Sequence, residues 1–206
     1  DLATEACRRL GYAPEFRQIV WENKDVYLSI GQVDCLWGSF TMTGREDLYQ
    51  WAGPYLYSRQ VVAVRTDSGI QTLADLAGRR VAVQATGKPE SIFLTSDAPG
   101  IAQVEAVYSF STMDEVYACL RKGYADAIAG HENALGLFLA SSPGSYRMLD
   151  ETLDVSQLGV AFQKDTHQEL AQALTQTLAE MEADGTTRAI LERYGLDADR
   201  ALGVTP

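Results

Sequence analysis

A polar stretch that ends in an arginine is the first candidate for ligand chemistry in this sequence. Gly38, Ser39 and Thr41 lie at the end of an apolar run, and Arg45 follows them. Thr43 precedes a glutamate by three residues, a capping-box spacing that predicts a helix with Arg45 in its first turn. A helix N-terminus favours an anion, and a guanidinium can bind two carboxylate oxygens. The stretch therefore predicts a carboxylate site, although a capped surface helix with a solvated arginine fits the same residues.

Thr86, Gly87 and Lys88 form a second candidate loop. They follow the apolar residues 81–83 and precede Pro89, which suits the first position of a helix. The loop would therefore lie at a helix N-terminus, where free backbone N–H groups form the positive end of the helix dipole. This loop is the second predicted place for a polar or anionic ligand group.

His131 and Glu132 follow a third apolar run, at 125–129. As ligand contacts, the imidazole would donate a hydrogen bond and the carboxylate would accept one. As structural residues, they would only end a strand. Together with Lys88 they are also the candidates for a general acid or base if the chain is an enzyme.

Helical and strand patterns alternate along the chain. The predicted helices lie near 2–10, 25–30, from 43, 72–78, from 89, 112–123, 165–185 and 187–194; the predicted strands lie near 14–20, 33–40, 59–65, 81–83, 104–108, 125–129 and 158–163. This alternation predicts an α/β fold with parallel sheets covered on both faces. Ligands in such sheets bind at the carboxyl ends of strands, where the candidate loops lie.

The pattern L-x-x-G-x-x-D occurs at 28–34 and again at 120–126, each time between a predicted helix and a predicted strand. The simplest explanation is a pair of similar α/β lobes. Because the candidate loops belong to different repeats, we expect a ligand cleft between the lobes.

The composition excludes several classes of partner. A net charge of -11 without a basic patch argues against nucleic acid and anionic membrane surfaces. No run of 18 apolar residues predicts a membrane span. The cysteines Cys7, Cys35 and Cys119 lack metal-ligand spacing, so we expect small core residues, no metal and no cofactor.

Several segments, read together, resemble the bacterial extracellular solute-binding proteins of the polar amino-acid family, which have the two-lobed periplasmic-binding-protein type II fold. The similar segments, in family order, are DLATEACRRLGY, LSIGQVD, TMTGREDLYQWAGPYLYSRQVVAV, TLADLAGRRVAVQATG, LRKGYADAIAG, LGVAFQK and MEADGTTRAILERYG. The resemblance implies hinge crossings near 57–65 and 158–163, which divide the chain into lobe 1 (1–60 plus 160–206) and lobe 2 (61–159). The family's first strand would precede Asp1 and is missing from this chain.

The resemblance also implies a set of ligand-binding residues: Trp21, Gly38, Ser39, Thr41, Arg45, Thr86, Gly87, Lys88, His131 and Glu132. Arg45 would hold the ligand carboxylate, and Trp21 would pack on the ligand side chain. The threonine-to-arginine spacing before Arg45 is one residue shorter than in the family, and the Thr86 loop also looks shortened. His131 stands where the family usually has an aspartate for the ligand ammonium. Either Glu132 replaces that aspartate, or the ligand is not an ordinary α-amino acid.

The implied function is extracytoplasmic binding of a small carboxylate-bearing solute, an amino acid or an analogue, by lobe closure. The partner would be the permease of an ABC importer, or a fused signalling domain if the chain is a membrane sensor. The alternative is a dehydratase-like cleft enzyme of the same fold that acts on a cyclic carboxylate. A degenerate domain that only mediates protein contacts is a third possibility.

Overall fold

A computed structural model describes residues 1–95, 101 and 103–204. The helices in these residues are α1 (Leu2–Arg9), α2 (Lys24–Ser29), α3 (Lys88–Thr95), α4 (Met113–Arg121), α5 (Glu132–Ala140), α6 (Gln168–Ala183), α7 (Thr186–Arg193) and α8 (Ala198–Ala201). The strands are β1 (Cys35–Thr41), β2 (Gln50–Arg65), β3 (Arg80–Gln84), β4 (Ala106–Phe110), β5 (Ala127–His131) and β6 (Tyr146–Phe162). Hydrogen bonds order the strands β1-β6-β2-β5-β3-β4.

The chain divides into compact units. Unit 1 contains 1–19, 23–58 and 156–206, and unit 2 contains 20–22 and 59–155. The long strands β2 and β6 each run from one unit into the other. The α/β class and the type II periplasmic-binding architecture predicted from the sequence are confirmed.

The core of unit 1 lies between its sheet and α6. In this unit β1 pairs with β6 in the antiparallel sense, not in the predicted parallel one. Leu174, Leu178 and Met181 recur on one face of α6 and pack with Val160 and Phe162 of β6. The long helix predicted at 165–185 therefore packs through one apolar face.

Unit 2 contains the parallel part of the sheet. Strand β3 pairs in parallel with both β4 and β5, whereas β2 pairs with β5 in the antiparallel sense. Residues 61–64 of β2 are almost fully buried, and alternate residues enter different core clusters. The prediction that this strand is buried on both faces is confirmed.

The repeated L-x-x-G-x-x-D pattern forms the same helix end twice. Gly31 after α2 and Gly123 after α4 both have positive φ, 67° and 72°. The next residue donates to the third-last helical carbonyl in both places, from Gln32 to Tyr27 and from Tyr124 to Cys119. These bonds define a Schellman motif, which favours glycine because an L side chain is strained at positive φ.

Two local predictions were wrong. Residues 14–20 form no strand, because none of their side chains is buried to provide a core-facing side. The helix predicted from 165 begins only at Gln168, after His167, and Asp165 has a φ of 62°. The tail contains α8, which Asp197 caps by accepting a 3.1 Å hydrogen bond from the Arg200 N–H.

Candidate functional site

An irregularity in β1 exposes the first predicted ligand residues. Leu36 pairs with Ala161 and Phe40 with Gly159, so the β1 segment between the pairs is longer than the β6 segment. The surplus forms a bulge, which releases backbone groups from the ladder. Within it Gly38 and Ser39 are exposed, and Ser39 has a φ of 55°.

Tyr55 of β2 holds the bulge through a hydrogen bond. The Ser39 backbone N–H donates to the Tyr55 hydroxyl, while burial, the dominant effect, raises the pKa of Tyr55 to about 12. The phenol therefore stays neutral at neutral pH and remains available as an acceptor. Thr41, the last residue of β1, is buried.

No helix begins at Thr43, contrary to the prediction. The chain makes turns from 43 to 48, with a 2.8 Å hydrogen bond from the Arg45 N–H to the Met42 carbonyl. The Thr43 hydroxyl, which would have capped the helix, instead accepts a 3.0 Å bond from the Gln157 N–H of β6. Arg45 therefore lies on a turn fastened to the sheet, without a helix dipole to assist it.

The Arg45 guanidinium is held against an aromatic ring. Its carbon lies 5.5 Å from the centre of the Phe40 ring, and Nη1 donates to the Thr41 carbonyl over 3.3 Å. The Trp51 indole N–H donates to the Arg45 carbonyl over 3.0 Å. Burial lowers the pKa of Arg45, but a guanidinium keeps its charge in proteins. This pre-positioned cation suits a carboxylate.

Phe40, Tyr49 and Trp51 form an aromatic cluster beneath the arginine, with ring centres 5.1 to 5.4 Å apart. The back of Trp51 rests on Gly159 of β6. A Cβ at that glycine would lie 2.7 Å from the indole ring, closer than van der Waals contact allows. Trp51 is thus a packing residue.

A second cation lies at the same ring. Lys24 is only 5% exposed, and its Nζ lies 5.9 Å from the Phe40 centre and 4.0 Å from an Asp25 carboxylate oxygen. Asp25 also accepts a 2.5 Å hydrogen bond from the Tyr49 hydroxyl. Sequence reasoning missed this group, because Lys24 lies between Asn23 and Asp25 and nothing local marks it as buried.

In unit 2, the loop after β3 makes a tight turn. Thr86 has a φ of 57°, and a Cβ at Gly87 would lie 2.9 Å from the Gln84 carbonyl oxygen. The Thr86 N–H donates over 2.6 Å to the carboxylate of Glu90 in α3. The amide predicted to receive a ligand is therefore engaged by a side chain of the protein.

Lys88 begins α3, one residue before the predicted start. Its Nζ lies 3.9 Å from a carboxylate oxygen of Asp154 in β6. Both side chains are mostly buried, with 23% and 27% exposed. Asp154 was not among the predicted site residues, because nothing local marks its proximity to Lys88.

Glu132, the first residue of α5, binds an arginine of β2. The Arg59 Nε and Nη2 atoms donate to its carboxylate oxygens over 2.9 and 2.5 Å. Arg59 also reaches the Thr152 hydroxyl over 3.4 Å. The hydrogen bonds to Glu132 raise the pKa of Arg59. Like Lys24 and Asp154, Arg59 is a residue that the sequence did not reveal.

His131 ends β5 and pairs across the sheet with Gln60 of β2. The amide nitrogen of Gln60 lies 3.2 Å from both ring nitrogens of the half-buried imidazole. Gln60 is itself fully buried, so this contact fixes the position of the ring. His131 therefore ends a strand, as in the structural reading, and its role as a ligand contact stays a prediction.

Trp21 lies in a single turn of 3-10 helix, Trp21–Asn23, and is half-buried. The neighbouring Glu22 carboxylate accepts a 3.4 Å hydrogen bond from the Ser111 hydroxyl. Trp21 and Glu22 belong to unit 2 together with Val20, whereas residues 1–19 and 23–58 belong to unit 1.

The predicted residues fall into one set per unit. Gly38, Ser39, Thr41 and Arg45 occupy the end of β1 and the turn after it. In unit 2, Val81 of β3 pairs in parallel with Ala127 of β5. The Thr86 loop and the residues His131 and Glu132 therefore lie at the carboxyl ends of neighbouring parallel strands. The remaining predicted ligand residue of unit 2 is Trp21.

The described residues contain no cluster of histidine, cysteine, aspartate and glutamate with the arrangement of a metal site. Within the same residues, no helix has the length and apolar character required to cross a membrane. Burial raises the pKa of the Cys35 thiol to about 12. Cys35 therefore stays protonated and packs in the core of unit 1.

The sequence was compared with known proteins. The family of bacterial extracellular solute-binding proteins, family 3, matches residues 1–197. The histidine-binding periplasmic protein of Salmonella typhimurium is 30% identical over 206 residues, which cover 94% of this chain and 76% of that protein. A probable ABC transporter extracellular-binding protein, YckB of Bacillus subtilis, is 30% identical over 146 residues, 69% of this chain and 49% of that protein.

Solved structures agree with these matches. An ancestral arginine-binding protein bound to arginine superposes with a TM-score of 0.83 at 26% identity, over 94% of this chain and 85% of the other. The chain spans 56% and 66% of the length of the first curated relatives that it matches. By its match over residues 1–197, the chain belongs to family 3 of the bacterial extracellular solute-binding proteins.

Proposed function

We propose that this chain binds a small carboxylate-bearing solute, an amino acid or an analogue of one, without transforming it. The observation that carries the proposal is the partly buried Arg45 guanidinium, held on the Phe40 ring at the end of β1. Relatives named for binding histidine and arginine make amino acids the first compounds to test.

The surroundings of Arg45 support a carboxylate rather than a neutral ligand. A guanidinium pairs with both oxygens of a carboxylate in one plane, and partial burial strengthens that interaction by limiting competition from water. The exposed bulge at Gly38 and Ser39 lies on the same strand and adds backbone groups that the β-ladder does not use. The Thr41 carbonyl would hold the Arg45 guanidinium in place for the ligand.

The residues of unit 2 enter the proposal with different roles. We propose that the ligand contacts Trp21, Gly87 and His131. It would also contact Thr86, whose N–H would then donate to both the ligand and Glu90. The ion pairs of Lys88 and Glu132 with Asp154 and Arg59 support a positioning role for them. The two ion pairs would then shape the site without binding the ligand directly.

The chain is proposed to act outside the cytoplasm, delivering its solute to the permease of an ABC importer or serving as the sensor domain of a membrane signalling protein. The name of the YckB relative favours the importer. Closure of the lobes on the ligand remains a prediction, which small-angle scattering with and without ligand would test. Ligand recovered unchanged after prolonged incubation, analysed by mass spectrometry, would support binding without catalysis.

The proposal is tested by a thermal-shift screen followed by calorimetry. A ligand at ~100 times its dissociation constant adds about 2.7 kcal/mol to the free energy of unfolding, a readily measured rise in Tm. Replacing Arg45 with glutamine should weaken binding about 10- to 100-fold, because a charge-assisted hydrogen bond is lost. Arg17→Gln is the matched control, since Arg17 is exposed and its guanidinium donates to the Gln32 carbonyl over 3.4 Å. Equal affinity in Arg45→Gln and the control would refute the carboxylate role of Arg45.

A further inference from the structure

Strand β1 forms one end of the strand order, so it has an outer edge as well as an edge that pairs with β6. The outer edge of a strand presents backbone N–H and C=O groups with which a further strand can pair. The internal repeat of this chain indicates what kind of strand would fit there.

The segments that lead into β1 and into β5 have the same structure. In each, a helix is followed by a glycine of positive φ, and an aspartate precedes the strand. The Val33 N–H donates to the Tyr27 carbonyl over 3.4 Å. At the matching place in unit 2, the Ala125 N–H donates to the Cys119 carbonyl, also over 3.4 Å. Both strands then pair in the antiparallel sense with a long strand, β1 with β6 and β5 with β2.

On its other side, β5 pairs with β3, a parallel strand that lies between β5 and β4. Asp126, which directly precedes β5, binds Arg80, the first residue of β3. The Asp126 N–H donates to the Arg80 carbonyl over 2.8 Å, and the Asp126 carboxylate accepts from the Arg80 N–H over 2.9 Å. The carboxylate also accepts from the Arg80 guanidinium over 2.9 and 3.1 Å. Asp126 thus fixes the point at which the parallel strand begins.

Asp34 stands before β1 as Asp126 stands before β5. It is exposed, and within the described part of the chain neither its backbone N–H nor its carboxylate makes a hydrogen bond. Residues 14–18 precede the pattern at 28–34 by the same distance as β4 precedes the pattern at 120–126. They form no strand, and Phe16 is 68% exposed. Unit 1 therefore contains counterparts of β4, of β5 and of the aspartate that binds β3.

From this correspondence we infer that the outer edge of β1 is a docking edge for a further β-strand, which runs parallel to β1 and leads into α1 as β3 leads into α3. Asp34 binds the first residue of this strand through its backbone and its carboxylate. The strand is apolar, because residues 81–83 at the same place in unit 2 are fully buried and a strand covered on both faces is hydrophobic. Residues 14–18 pair with its far side. The inference concerns the sheet and does not depend on the proposed ligand site.

Hydrogen exchange measured by NMR tests whether the edge is open. The Asp126 N–H donates to Arg80 within the sheet, whereas the Asp34 N–H is proposed to await a strand. We expect the protection factor of the Asp34 amide to be at least tenfold lower than that of the Asp126 amide, because an amide outside a hydrogen-bonded ladder exchanges without an opening step. Equal protection of the two amides would overturn the inference.

A fusion protein tests whether the edge accepts a strand. A copy of residues 79–86, which includes β3, is placed directly before Asp1, so that the copied strand and α1 are separated as β3 and α3 are. The control fusion carries Ala82→Pro in the added copy, because proline removes a backbone N–H from a strand. The Asp34 amide should be protected at least tenfold more in the first fusion than in the control. The same protection in both fusions would refute docking at this edge.

The variant Asp34→Ala tests the part assigned to the carboxylate. In the fusion it should lower Tm by more than it does in the chain without the added copy, since only the fusion supplies a backbone N–H for the carboxylate to accept. An equal change in Tm in the two backgrounds would contradict the role of the Asp34 side chain.

Discussion

The Arg59 guanidinium and the Glu132 carboxylate form a two-point ion pair within unit 2, with N–O distances of 2.9 and 2.5 Å. The pair joins β2 to the first turn of α5. It fixes the direction in which the chain leaves β5, and with it the position of His131.

Glu132→Gln should therefore destabilise unit 2. The substitution keeps the shape of the side chain but leaves the arginine without its counter-charge, for an expected loss of about 1–3 kcal/mol in the free energy of unfolding. Urea denaturation measures the change. Asp199→Asn breaks an exposed pair with Arg188 and should cost less than about 1 kcal/mol. Comparable losses in the free energy of unfolding would show that the Arg59–Glu132 pair stabilises the protein no more than an exposed pair does.

Asp126 should make stability dependent on acid pH. Its side-chain hydrogen bonds with Arg80 hold its pKa below the ordinary value of 3.8. Folding lowers this pKa, so the ionised carboxylate stabilises the folded state above the ordinary value, and the stabilisation disappears as pH falls through the folded-state pKa. The free-energy difference between the parent and Asp126→Asn should be full at about pH 7 and shrink below about pH 4. A difference that stays constant across this range in pH-dependent urea titrations would refute this role.

Trp51→Phe should weaken ligand binding without contact between Trp51 and the ligand. The substitution removes the indole N–H that donates to the Arg45 carbonyl, while an aromatic ring remains in the cluster. One neutral hydrogen bond contributes about 1 kcal/mol, so the looser turn should raise Kd about fivefold. Calorimetry measures Kd, and an unchanged value would mean that Phe40 and the Thr41 carbonyl suffice to hold the arginine.

Gly87→Ala should distort the loop after β3. The new methyl group would lie 2.9 Å from the Gln84 carbonyl oxygen, and relieving this contact should cost about 1–3 kcal/mol. Gly69→Ala is the matched control, because a methyl group there meets no atom within 4 Å and should change stability by about 0.5 kcal/mol or less. Chemical denaturation of both variants checks the difference. Equal stabilities would show that the loop has room for a side chain.

Local signals in the sequence predicted local structure well. The helix predicted at 112–123 begins with a capping box of Thr112 and Glu115, with reciprocal hydrogen bonds of 3.3 and 3.0 Å. The repeated glycine pattern likewise predicted matching helix ends at Gly31 and Gly123. Both motifs depend on residues within one turn of each other, so no distant part of the chain is needed to form them.

The features that the sequence did not reveal depend on contacts between residues that are far apart in the chain. Thr43 has the same capping-box spacing as Thr112, but its hydroxyl accepts from Gln157, 114 residues away. The Arg59 partner of Glu132 is separated from it by 73 residues. A single sequence shows the residue types in these pairs, but only the folded sheet brings them together.

Gly159 illustrates how a residue buried in the sheet can govern what happens at the surface. Any side chain there would push Trp51 outward, and Trp51 holds the turn on which Arg45 sits. A random-mutagenesis screen for lost binding should therefore recover substitutions in the middle of β6 as well as in the ligand-facing turns. Redesign of the ligand preference should leave this glycine unchanged, since the tolerance of the surface turn for new residues depends on the strand beneath it.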